Sequence, residues 1–256
     1  MADRFNDLQE FLRQERELLG ELLLAEIANG EPLHVPTQKS SQSPPAEELT
    51  LFGGTTQEKV PMTQEQWGSE QTLEGLNAAI CDCVKCPLGQ TRTRFVFGVG
   101  NPKATLMLIG EAPGADEDMQ GEPFVGKAGM LLNKILEAIR FRREEVYICN
   151  ILKCRPPGNR KPVAEEVDLC LPYLRKQISL IKPRVILALG LTAAENLLQT
   201  TESLGRLRGR VLNYDGIPLM VTYHPAALLR NPNWKRPTWE DVQALRKLHD
   251  ELAPHT

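Results

Sequence analysis

The chain holds no apolar run long enough to span a bilayer. Its longest runs, such as VILALG at 185–190, fall far short of the roughly 20 residues that a membrane helix needs. No membrane partner is expected. The start, MADRFNDLQEFLRQERELLG, lacks the positively charged, apolar and cleavable pattern of a secretory signal. The expected compartment is therefore the cytoplasm, where a reducing environment makes structural disulfides poor candidates. Two phosphate-binding signatures are missing as well. There is no G-x-x-x-x-G-K-[ST] and no G-x-G-x-x-G, so nucleoside-triphosphate and dinucleotide chemistry lose support.

What is present suffices for one core of globular size with an appendage: 256 residues, 41% hydrophobic and 25% charged. The net charge of -3 hides an asymmetry. Residues 1–80 carry five Lys/Arg against fourteen Asp/Glu, a balance of -9, whereas residues 81–256 carry 25 against 19, a balance of +6. Basic clusters recur in RTRFVFGVGNPK, KCRPPGNRK and LLRNPNWKR. A basic body suits a phosphate-backbone partner, although each cluster alone reads equally well as solvated surface.

Three segments are expected. Residues 1–29 repeat apolar positions at helical spacing (Phe5, Leu8, Phe11, Leu12, Leu18, Leu19, Leu22, Leu23, Ile27), which predicts an amphipathic helix stopped by Asn29-Gly30. This helix would either bind a protein partner or fold back onto the body. Residues 30–70, rich in Pro, Ser, Thr, Gln and Gly, read as a flexible low-complexity linker. Residues 71–256 alternate short β-branched runs with helical patterns. That alternation predicts a three-layer α/β/α sandwich with a central, mainly parallel four-stranded sheet, expected as a monomer. In such sheets ligands sit beyond the carboxyl ends of the strands. Glu111, Asn150 and His224 fall at those ends.

Four of the six cysteines form a pattern. Cys83 and Cys86 make a C-x-x-C pair, and Cys154 and Cys170 bracket KCRPPGNRKPVAEEVDLC. A C-x-x-C turn offers two thiolates to one ion or cluster, and a second pair completes a Cys₄ shell. Spacing alone leaves zinc and an iron–sulfur cluster both open. Cys149 lies in the apolar run VYICNIL and reads as core. Cys81, one residue outside the pair, is the competing ligand. The segment from Gly110 to Gly129, GEAPGADEDMQGEPFVGKAG, runs from a strand end to a helix start. Its glycines permit close backbone approach, its carboxylates supply charge, and Phe124 supplies a stacking face.

Taken in order, GEAPGADED, GEPFVGKAG, YICNILKCRPPGNRKP with its downstream Cys170, and HPAALLR resemble the family 4 uracil-DNA glycosylases, the iron–sulfur branch of their superfamily. The resemblance covers about residues 76–250. It implies an enzyme that flips uracil out of DNA and hydrolyses its N-glycosidic bond, leaving an abasic site for base-excision repair. It also implies a [4Fe–4S] cluster on Cys83, Cys86, Cys154 and Cys170.

Residue by residue, the resemblance implies that Asn150 reads uracil, Phe124 stacks on it and His224 stands beside O2. Glu111 and Glu117 match acidic pocket positions, either of which would orient water or stabilise the sugar cation. Glu111 is preferred. Ala112 lines the substrate pocket where the best-known branch of the superfamily carries an aspartate. Arg155, Arg160 and Lys161 are expected on phosphates. Leu228, Leu229 and Arg230 are expected at the minor groove, with the wedge leucine undecided. The competing reading is an iron–sulfur nucleic-acid-binding or redox protein without glycosylase activity, which has no need of Phe124, Asn150 and His224.

Overall fold

The computed structural model describes residues 67–253. The expected front helix, and the expected linker up to residue 66, lie outside the described residues.

The described residues build one six-stranded sheet in the order β1-β3-β2-β4-β6-β5. The strands are β1 (Val99–Gly100), β2 (Leu106–Gly110), β3 (Tyr147–Asn150), β4 (Val185–Leu189), β5 (Leu212–Tyr214) and β6 (Ile217–Thr222). The inner four are parallel, with Leu108 opposite both Ile148 and Leu187, and Ala188 opposite Val221. This is the expected parallel centre, corrected by two short antiparallel edges, β1 on β3 and β5 on β6. The second edge is made by a tight hairpin. Asp215 and Gly216 take φ of 47° and 87°, the two left-handed dihedrals that a two-residue Asp-Gly turn supplies.

Every residue of β2, β3 and β4 is buried, as a parallel sheet covered on both faces requires. Alternate side chains enter opposite layers. Met107 and Ile109 pack with Leu76, Leu174 and Ile178, from helices α1 (Leu73–Ile80) and α5 (Ala164–Ile181). Leu106 and Leu108 pack with Leu132, Leu136, Val242 and Leu245, from α4 (Lys127–Ala138) and α9 (Lys235–Glu251). Each fully buried aliphatic side chain contributes about 1.5–3 kcal/mol relative to exposure, which fixes the three layers. The core also begins before the expected boundary at residue 71. Trp67 is 4% exposed and meets Tyr173 edge-on, with ring centroids 4.9 Å apart. Among the described residues no helix is long and apolar enough to cross a membrane.

The chain runs from β2 to β3 on one side, then crosses to β4 on the other. The strand order therefore reverses at β2, and a crevice opens beyond the carboxyl ends of these strands.

Candidate active site

That crevice is a cleft of about 330 Å³ whose lining includes Glu111, Ala112, Glu117, Phe124, Asn150 and His224. Asn150 ends β3 and is 2% exposed, yet among the described residues its Oδ1 has no hydrogen-bond partner. An unpaired buried acceptor costs about 1–3 kcal/mol, so this oxygen is open to a donor from whatever occupies the cleft, water or ligand. Space in front of it is kept by Gly110, where a Cβ would collide with Asn150 Oδ1 and with the Phe124 ring.

Phe124 is 5% exposed and takes φ of 54°, a left-handed conformation that costs an aromatic residue of order 1–3 kcal/mol. The strain is held from both sides. Arg143 Nη2 donates to the Pro123 carbonyl at 2.6 Å. Glu117, in helix α3 (Ala115–Gln120), accepts from the N–H groups of Gly114 at 3.1 Å, Val125 at 2.9 Å and Gly126 at 3.1 Å. Both oxygens of Glu117 are thus committed to the loop that presents Phe124. Glu111 differs: among the described residues its carboxylate has no hydrogen-bond partner, while it borders the same cleft.

His224 caps helix α8 (Pro225–Arg230), where its Nδ1 accepts from the Ala226 N–H at 3.2 Å. Nδ1 is therefore the acceptor, and the proton resides on Nε2. Burial, followed by the nearby Arg230 guanidinium, pushes the imidazole pKa down to about 4, so the ring is neutral at pH 7 and donates through Nε2–H. The His224 ring lies 5.3 Å from that of Phe124, tilted by 30°. A stacking face, an orphaned acceptor and a neutral donor converge on one small volume.

The expected DNA-binding residues divide. Arg230 is exposed at the rim and has no carboxylate partner among the described residues. Leu229 is 49% exposed, whereas Leu228 is 2% exposed within the core layer of α4 and α9. Leu228 is thus corrected from a groove contact to a packing residue. The cations of the 155–161 loop, expected on phosphates, have partners within the protein. Arg160 is paired with Glu166, Lys161 with Glu195 at 3.0 Å, and Arg155 Nε donates to Asn159 Oδ1 at 2.7 Å. These cations first hold their own loop. Arg160 nonetheless lines the cleft, as do Pro156 and Asn159, both absent from the sequence expectation. The signal for them was the P-P-G-N run, whose Gly158 and Asn159 have φ of 63° and 54° and turn the loop back over the site.

The cysteine set lies behind this loop. All four thiols are free. Cys154 feels the charge of Cys83 and Cys86, and Cys170 that of Cys83 and Cys154, so the two pairs do meet. Burial pushes the Cys154 thiol up to about 11 and Cys170 up to about 12. Donors face the sulfurs: Arg92 Nη1 lies 3.2 Å from Cys154 Sγ, and the Tyr173 hydroxyl 3.3 Å from Cys83 Sγ. Among the described residues no group of three or more His, Cys, Asp or Glu is arranged to hold a metal ion. An all-thiol donor set, ringed by a guanidinium and a hydroxyl, fits a polynuclear cluster, in which each cysteine binds its own iron and donors tune the sulfurs.

Fold and cleft together define an α/β protein with a cleft beyond its parallel strands, lined by Phe124, Asn150 and His224. The model of the Uracil DNA glycosylase superfamily matches residues 97–248. The chain is 41% identical over 192 residues to the type-4 uracil-DNA glycosylase of Archaeoglobus fulgidus, covering 72% of this chain and 96% of that protein. Type-4 uracil-DNA glycosylases of Pyrobaculum aerophilum and Thermotoga maritima are 48% and 42% identical, over 62% and 68% of this chain and 86% and 93% of those proteins. This chain belongs to the Uracil DNA glycosylase superfamily, in its type-4 branch.

Proposed function

We propose that the protein excises uracil from DNA by hydrolysing the bond between uracil N1 and deoxyribose C1′. The observation that carries the reading is the orphaned Oδ1 of Asn150 in the cleft. It accepts from uracil N3–H while the Asn150 amide nitrogen donates to O4, and cytosine reverses both groups. A base within a duplex cannot reach this site and must be flipped out. It then stacks on Phe124, a contact of about 1–3 kcal/mol.

As the bond breaks, its electron pair leaves with uracil and the sugar becomes cationic. The neutral His224 donates from Nε2 to the developing charge on uracil O2 without having to lose a proton itself. Glu111, with its carboxylate uncommitted, orients the water whose oxygen bonds to C1′ and accepts its proton. Glu117, with both oxygens engaged, serves as a positioning residue for Phe124. Ala112 lines the pocket where no carboxylate is available. Leu229 fills the space left by the flipped nucleotide, and Arg230 contacts phosphate beside it.

Cys83, Cys86, Cys154 and Cys170 would hold a [4Fe–4S] cluster, which supplies a structural clamp on the loop following Asn150. The substrate is uracil-containing DNA and the working compartment the cytoplasm. The glycosylase domain, monomeric, takes in Trp67 ahead of the expected boundary at 71, with residues 1–29 left for a protein partner across the linker that precedes it. The test is incubation of the purified protein with end-labelled uracil-containing DNA, followed by alkali. Strand scission at uracil, absent with cytosine or thymine at that position, is the expected outcome. Intact strands would overturn the reading.

A further inference from the structure

Lys153 has no solvent exposure, 0%. Its ammonium donates to the Asn150 carbonyl at 2.9 Å and to Gln177 Oε1 at 2.6 Å. Both acceptors are neutral, and among the described residues no carboxylate forms an ion pair with it. A buried cation left with neutral acceptors carries a desolvation cost of several kcal/mol, so its charge must be balanced by something close. Lys153 bears directly on one member of the quartet: its backbone N–H donates to the Cys170 thiol and its charge acts on that thiol, as it does on the core Cys149. Cys154 is the next residue, and Gln177 shares helix α5 with Cys170, two turns away. Gln177 is itself locked, donating to the Phe97 carbonyl at 2.9 Å and the Tyr147 hydroxyl at 3.1 Å. Lys153 therefore has one end on the strand that presents Asn150 and the other on the helix that carries a cluster ligand.

We propose that Lys153 takes its counter-charge from the thiolates that the cysteine quartet would present when it holds the cluster, and is the positioning residue that couples this cluster site to Asn150. The inference rests on the function proposed above and deepens it. A cluster bound by four thiolates is anionic, and a nearby cation favours the extra electron of its reduced form. Removing the Lys153 charge moves the reduction potential to more negative values and loosens the cluster. It also frees the Asn150 carbonyl, so the amide that meets uracil loses its fixed orientation. A residue that merely filled space would lower stability and leave the potential alone.

The experiment compares full-length cluster-loaded wild type with Lys153→Met and Lys153→Arg, using Arg92→Gln as the benchmark for losing a cation at Cys154. Three readouts are taken: the midpoint potential of the cluster, the rate at which a chelator bleaches its visible absorption, and kcat and KM on uracil-containing DNA. Lys153→Met is expected to shift the potential negative, to bleach ~10–100-fold faster, as loss of an outer partner of a metal site does, and to lower kcat ~10-fold with KM little changed. Lys153→Arg is expected to restore the potential. A wild-type potential and bleaching rate in Lys153→Met would overturn the proposal. Should that variant fail to yield folded, loaded protein, Gln177→Glu decides, since a carboxylate placed on the ammonium neutralises it where it stands. A negative shift then supports the coupling, and an unchanged potential overturns it. Wild type that holds the cluster but excises no uracil would count against the function reading alone, because potential and bleaching do not depend on it.

Discussion

The cleft and the loop behind it use the same kinds of side chain in opposite ways. In the loop, Arg160 meets Glu166, Lys161 meets Glu195, Arg155 meets Asn159 and Lys153 meets Gln177. Polar groups there are partnered by the architecture, even where, as with Arg160, they border the cleft. In the cleft, Asn150 Oδ1 is unpaired and the Glu111 carboxylate and Arg230 guanidinium stand uncommitted. The contrast teaches how to separate groups held for a ligand from groups held for the fold when residue types cannot. Glu111 and Glu117 border one cleft, but only the second is already hydrogen-bonded by three backbone N–H groups.

The largest effect that would break this contrast is at His224. Its Nε2–H is a preorganised donor on the cleft side of a ring whose other nitrogen is fixed by Ala226. His224→Ala should lower kcat for uracil release ~10²–10³-fold, as removal of one oxyanion donor does, with the melting temperature nearly unchanged. A loss below tenfold would remove His224 from the chemistry. Next comes Asn150→Ala, which removes both uracil-reading groups and relieves the orphaned oxygen. It should cost excision roughly 10–100-fold. The folded protein should not lose stability, because the acceptor removed had no partner. A clear fall in melting temperature would place Asn150 with the architecture instead.

His224 also has a pH signature. Burial and Arg230 hold its pKa near 4 instead of the ordinary 6.5, so the unfolded chain binds its proton first as pH falls. Stability from this group is complete above about pH 6.5 and is lost as pH falls toward 4. The excision profile should therefore show no imidazole inflection near 6.5. Side-chain nitrogen NMR at pH 6 should report a neutral ring protonated on Nε2. An inflection at 6.5 that His224→Gln abolishes would show the ring to be solvated in the free enzyme.

Much of this was legible in the chain, and the exceptions have physical reasons. The inner parallel strands showed as continuous apolar runs because both faces of the sheet are covered. The edge strands were too short for a period to register: β1 is two residues and β5 is three. Glu111, Asn150 and His224 were readable because strand ends in such a sheet converge in space. What their side chains do was not, since the difference between Glu111 and Glu117 lies in which oxygen meets which backbone N–H. The partners of the basic loop were hidden in a similar way. A run of cations looks free in one dimension, while Glu166 and Glu195 reach back to it only after α5 and α6 (Leu191–Leu198) are packed. Lys153 was invisible for the same reason, a lysine between a leucine and a cysteine with nothing in the letters to show that it is buried.

The carboxylate pair gives the next sharpening. Glu111→Gln should lower kcat by at least ~10² if it handles the water, a general-base contribution being 10²–10⁴-fold, and leave the melting temperature alone. Glu117→Gln keeps one acceptor oxygen but weakens charge-assisted bonds to three N–H groups. It should cost about 1–2 kcal/mol of stability, a few degrees in a domain of this size, with a smaller loss of rate through Phe124. The reverse pattern would exchange their roles.

The smallest effect discriminates most finely, because it sets neighbours in one short helix against each other. Leu228 points into the core layer and Leu229 into solvent at the mouth of the cleft. Leu228→Ala should destabilise the fold by about 2–5 kcal/mol, the range for a buried leucine that leaves a cavity. Leu229→Ala should stay within about 0.5 kcal/mol of wild type, as exposed substitutions do. On DNA the order inverts. Leu229→Ala should weaken excision from a U·A pair more than from a U·G mismatch or single-stranded DNA, because a wedge matters most where the duplex must be pried open and least where the base is already loose. Equal losses on all three substrates would mean that Leu229 contributes contact area but does not help flip the base. The prying would then have to come from elsewhere on the basic face, with Arg230 the first place to look.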